Sequence, residues 1–267
     1  MSDFDRNAAT AQYGRPLTRA EAAVVDQGLR AYMLRIYNYM VLGLAITGVA
    51  ALGVYMLSVT PDLSAAYQGA RPLARGMYLT PIGHYLFSTP LKWIVILAPL
   101  GLVFFLSFRI QNMRPATAQI TFWIYAALVG VSLGSIFLIY THTSIVRVFF
   151  ITAASFGALS LWGYTTQRDL TGMGSFLVMG LFGIIIASVV NMIWPSGMLQ
   201  FAISVIGVIV FAGLTAYDTQ RLKNEYVYGA MEGDVMERSA IMGALSLYLD
   251  FLNLFTMLLS LLGSRDE

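Results

Sequence analysis

Residues 240–262 read "AIMGALSLYLDFLNLFTMLLSLL". At 1.5 Å rise per residue a helix of this length crosses a hydrocarbon core of ~30 Å. Its one charged residue, Asp250, has about ten residues on either side and so falls near the bilayer midplane. A carboxylate there costs at least ~2.5 kcal/mol, and intramembrane ionisable residues mark function by default. On a helix Gly243, Ser246, Asp250, Asn253 and Ser260 recur at spacings of three, four and seven, which puts them in one polar stripe. Such a stripe faces protein or water, so the last span is expected to be a central helix with other helices around it.

Composition agrees with that setting. Of 267 residues 58% are hydrophobic and 11% charged, and mean hydropathy is +0.70. Soluble domains carry roughly 25% charged residues, so this chain lacks the polar surface a soluble fold needs, while a bilayer accommodates it. A net charge of +2 and the lack of basic runs with interleaved aromatics exclude a nucleic-acid partner. With no cysteine, disulfides, thiolate metal sites and cysteine nucleophiles are excluded.

Working outward, seven stretches are apolar enough to span: 33–57, 93–108, 118–140, 146–163, 175–194, 199–217 and 240–262. The second and fourth are short for a span and must borrow flanking polar residues. The expected class is an all-α membrane protein, a seven-transmembrane-helix bundle with the last helix central. Its transmembrane domain, 33–262, lies between a cytoplasmic N-terminal segment, 1–32, and a short C-terminal tail, 263–267. Segment 1–32 mixes arginines with aspartates and has no small-residue cleavage site, so it reads as a solvated tail or surface-lying helix and not as a signal peptide. Eleven lysines and arginines fall on the side of the N-terminus and five on the other, which places the N-terminus in the cytoplasm. Trp93, Trp123, Trp162 and Trp194 sit near span ends as headgroup anchors. Gly130 with Gly134, and Gly180 with Gly183, read as close helix packing.

The ionisable residues inside or at the edge of spans are Arg35, Arg109, Asp218 and Asp250. The arginines, at span ends, can snorkel. After Asp218 the sequence "TQRLKNEYVY" has no breaker before Gly229, so the sixth helix is expected to run to about residue 228 and the seventh to begin near 240. Each carboxylate then lies ~15 Å from the end of the hairpin, at one depth on antiparallel neighbours. A lone intramembrane Asp also caps a backbone break or pairs with an Arg. Two at equal depth resist ionising together and are expected to share one proton, which makes them a pH switch and a cation-attracting pair.

Three segments carry a resemblance. "AYDTQ" at 216–220, "LYLDFLNLF" at 247–255 and "YTTQRDLTGMGSF" at 164–176 resemble the signature segments of the transmembrane Bax-inhibitor-motif family. The likeness covers the seven-span pattern and most of the chain. It implies a last helix surrounded by the other six and, for a bacterial member, a pH-sensitive calcium-leak protein of the cytoplasmic membrane. The family's sensor aspartates fall on Asp218 and Asp250, and its second-helix arginine on Arg109, the expected gate. Ser246 and Asn253 are the expected supporting polar stripe. An acidic residue that some members carry in the second helix has no counterpart in "WIVILAPLGLVFFLSF" at 93–108.

The resulting expectation is a non-enzymatic calcium leak without a cofactor, in contact with lipid, calcium and protons, in which Asp218 and Asp250 line the Ca2+ path. Two other classes stay open. One is a non-conducting regulator that binds another membrane protein, such as a membrane protease, through segment 1–32. The other is an intramembrane aspartyl protease, whose GxGD at the second aspartate is here "LYLD", with Leu247 and Leu249 where glycines open the backbone. His84 and His142 lie in different loops without acidic neighbours and read as surface residues, not metal ligands.

Overall fold

The computed structural model describes residues 19–70, 72–73, 76–229 and 233–265. The expectations for the first eighteen residues, including the solvated tail and the signal peptide, lie outside the described residues. Among the described residues seven helices are long and apolar enough to cross a membrane. They are α1 (Arg19–Ser58), α3 (Leu91–Arg109), α4 (Pro115–Leu133, continued by the short α5, Ile136–Ile139), α6 (His142–Thr165), α7 (Thr171–Ile193), α8 (Gly197–Gly229) and α9 (Gly233–Leu262). A short helix, α2 (Pro81–Ser88), and the hairpin of β1 (Val59–Thr60) and β2 (Tyr78–Leu79) fill the long connection after α1.

Several helices outrun their apolar stretches. No proline interrupts 19–58, so α1 starts at Arg19 rather than 33, and α9 starts at Gly233 rather than near 240. Hydropathy locates what sits in lipid, whereas the helix continues for as long as its residues permit it. α8 runs to Gly229, as its lack of breakers led one to expect.

The chain forms two compact units. The first comprises residues up to Met40 and Arg147–Leu262. In it α9 is lined by three helices. Phe149 and Phe156 of α6 meet Phe251 edge-on. Ile36 of α1 and Leu222 of α8 close over Gly243. Farther along α8, Gly207 lies under Met257. Leu177, Ile184, Ile203, Val210, Phe211, Leu214 and Leu254 form the core between α7, α8 and α9. Half of the apolar stretch of α9 is buried, against 11% to 33% in the other six spans, so the last helix is the most enclosed, as its polar stripe requires. Lipid supplies no hydrophobic drive to join helices, so small residues set the approach. The Gly163 backbone lies against the Ala216 carbonyl, and Gly174 against the Tyr217 ring.

The second unit comprises Val41–Val146 and residues from Gly263 on. Gly130 sits on Thr47 and Ala50 of α1, and Gly134 on Val54, so this GxxxG is a packing face as expected. Of the other pair, Gly180 packs on Val210 and Gly183 faces open space. The Thr47 hydroxyl donates to the Ala126 carbonyl at 2.9 Å. Residues 263–265 are pinned. Ser264 accepts from the Thr141 amide at 3.0 Å and donates its own to Ser144 Oγ at 2.9 Å, and Arg265 bridges Tyr140.

Candidate functional site

The site lies on the α8–α9 hairpin of the first unit. Asp218 and Asp250 are 7% and 5% exposed, and their carboxyl groups lie within electrostatic range of each other. Asp218 faces Ser246, and Asp250 follows one helical turn later. The earlier start of α9 shifts the helix ends relative to each other, yet the antiparallel register still brings the two acids together.

Asp218 is well supplied with partners. Its Oδ2 accepts from the Ser246 hydroxyl, and its Oδ1 lies 3.4 Å from Arg221 Nη2. The same Nη2 donates to Ser246 Oγ at 3.1 Å, so Ser246 links the arginine to the acid. Asp250 is the opposite case. Its Oδ2 is buried with no hydrogen-bond partner. A buried orphan acceptor costs ~1–3 kcal/mol and calls for an explanation. A proton or a cation placed there satisfies it.

Behind Asp218, α8 is clasped to the connection between α6 and α7. Gln220, 8% exposed, accepts from the Leu170 amide at 2.9 Å and donates to the Arg168 carbonyl at 2.8 Å. Lys223 donates to the Tyr164 carbonyl at 3.2 Å. The Thr219 hydroxyl meets Ser160 at 2.9 Å, and Ser160 meets Tyr37 of α1 at 2.6 Å. In this way the segments 164–176 and 216–220, far apart in sequence, form one structure beside the pair. On that connection Asp169 accepts from the hydroxyl and the amide of Thr171, which hold its carboxyl below the ordinary value. Its folded-state value is depressed, so its contribution is complete above about pH 4 and is lost only as pH falls further. It stays ionised across the neutral range.

The other residues named from sequence fall elsewhere. Asn253 shares the stripe, but its Nδ2 donates back to the Leu249 carbonyl at 2.9 Å. Ser260 meets Ser204 at 3.0 Å, in a neutral network with Gln200 near the far end of the hairpin. Arg109 ends α3 in the second unit and is exposed. The arginine paired with Asp218 within the first unit is Arg221, which from sequence counts only among the basic residues on the side of the N-terminus. Its signal was its place three residues after Asp218 on a helix already expected to continue. Among the described residues no group of three or more His, Asp or Glu is arranged to hold a metal. His84 stacks on Tyr67, and His142 lies edge-on to Tyr55.

The model of the family described as "Inhibitor of apoptosis-promoting Bax1" matches residues 29–267. An uncharacterized protein of Rickettsia prowazekii (strain Madrid E) is 48% identical over 94% of this chain and 96% of its own length. A Caulobacter vibrioides protein is 43% identical over the whole of both chains. Inner membrane protein YbhL of Escherichia coli (strain K12) is 42% identical over 89% of this chain and 93% of its own.

Proposed function

This chain belongs to the family of the inhibitor of apoptosis-promoting Bax1, and on that premise we propose that it is a pH-sensitive cation leak of the cytoplasmic membrane, with calcium as the ion. The observation that carries this reading is the buried, unpartnered Oδ2 of Asp250 beside the Asp218 carboxyl. In one protonation state the pair holds a proton between its oxygens. In the other it presents two negative charges in a low-dielectric seam, where a divalent cation is the natural counter-charge. The cytoplasmic membrane is carried over from the relative named an inner membrane protein.

The protein is proposed to be no protease. α9 is continuous helix through Leu247 and Leu249, with Leu247 fully buried, so the backbone beside Asp250 is closed to a peptide substrate.

Calcium flux from proteoliposomes, followed against pH, tests the leak. Wild-type flux should change severalfold across the neutral range, while Asp218→Asn and Asp250→Asn, each with one titrating carboxyl removed, should flatten the profile. A well-folded wild-type protein that passes no calcium at any pH would replace this reading with that of a non-conducting membrane regulator.

A further inference from the structure

The geometry points to Arg221 as a tethered cation that occupies the approach to Asp218, so that a divalent ion entering the site has to displace its guanidinium onto Glu225. The inference rests on the reading of Asp218 and Asp250 as the acidic site of a cation path.

Arg221 stands between two carboxylates on one face of α8. Nη2 is 3.4 Å from Asp218 Oδ1, three residues before it, and Nε is 3.6 Å from Glu225 Oε1, four residues after it. From the hairpin end, α8 presents Glu225, then Arg221, then Asp218, and Asp250 lies deepest among these on the facing helix. The side chain of Arg221 is 41% exposed and that of Asp218 only 9%. The guanidinium head therefore sits where water gives way to the buried pair. It holds two oxygen ligands a cation would want, Asp218 Oδ1 and Ser246 Oγ.

Charge balance favours such a plug. Asp218, Asp250 and Glu225 together bring three carboxyl groups, and Arg221 is ion-paired with two of them, Asp218 and Glu225. Tyr32 of α1 lies within electrostatic range of Glu225 and Arg221 but is uncharged at neutral pH. Arginine keeps its charge at every physiological pH, so the plug does not leave by losing a proton. It leaves by changing partner, and Glu225 is within its reach without any backbone motion. The unpartnered Asp250 Oδ2 is the ligand atom still open behind it.

Mn2+ binding to the full-length protein in detergent, read by electron paramagnetic resonance at fixed pH, tests the plug without requiring conduction. Arg221→Gln should bind Mn2+ about two- to fivefold more tightly than wild type, the span a half-exposed ion pair carries. Arg221→Lys, which keeps the charge, should stay near wild type, and adding Asp218→Asn to Arg221→Gln should abolish the gain. Glu225→Gln should weaken binding in the wild-type background and do nothing once Arg221 is Gln. Binding by Arg221→Gln that is equal to or weaker than wild type, or undetectable in both, overturns the plug. A Glu225→Gln loss that persists without Arg221 overturns the partner exchange. A protein that shows the gain yet passes no calcium in liposomes overturns the leak and leaves the plug standing. A pH-gated leak whose Arg221→Gln variant binds as wild type does the reverse.

Discussion

At Gly163 a Cβ would run into the carbonyl oxygen of Ala216, two residues from Asp218, and a backbone atom cannot swing aside as a side-chain tip can. Gly163→Ala should therefore push α6 off α8 and lower stability by more than ~2 kcal/mol. Gly157, one and a half turns earlier on the same helix, faces open space. There an alanine should be neutral or stabilising by up to ~1 kcal/mol, because glycine is the poorer helix former. Thermal unfolding of the two variants in one detergent checks the contrast; equal losses would mean that the close approach is not what holds α6. At this scale the site was partly legible. Spacing alone put Ser246 and Asp250 on one stripe, and an unbroken helix carried Asp218 to them. Asn253 has the right spacing but turns to its own backbone, and spacing does not say whether an amide bonds outward or back. Arg221 was missed because a basic residue beyond an apolar stretch counts toward orientation, and only the folded side chain shows that it turns back to Asp218.

Among the elements, the connection between α6 and α7 depends on α8 for its anchorage. Gln220 satisfies one amide and one carbonyl of that connection at once, and Leu170 is 5% exposed. Gln220→Ala leaves both groups without a partner, at a cost of ~1–3 kcal/mol for each that stays buried. The cost falls on local opening before it reaches global unfolding. A cysteine placed at Thr166 should then react with a maleimide faster by about tenfold or more than in the otherwise wild-type protein; an unchanged rate would show that Lys223 and Tyr164 hold the connection alone. The helices themselves were visible as apolar runs. Their ends were not, because Glu237 and Arg238 at the start of α9 and Arg30 in α1 are good helix residues and poor lipid residues, and hydropathy registers only the second property.

For the molecule as a whole the candidate spans among the described residues number seven, an odd count, so Asp26 and Ser264 are expected on opposite sides, with the N-terminal side in the cytoplasm by the positive-inside rule. Single cysteines at Asp26 and Ser264 should be labelled by an impermeant maleimide from opposite faces; labelling from one face would mean that one of the helices turns back within the bilayer. One feature of the architecture acts through time rather than distance. The first unit is assembled from the beginning and the end of the chain, with Val41–Val146 inserted between. Tyr37 of α1 meets a partner 123 residues away, Tyr39 one 198 away and Tyr32 one 207 away. At bacterial-to-eukaryotic synthesis rates of roughly 5–20 residues per second, those partners emerge about 6 to 40 s after α1 has left the ribosome. For that interval the first helix is in the membrane with three tyrosine hydroxyls and no companions for them, and the fold closes only when the last helix, which carries Asp250, arrives.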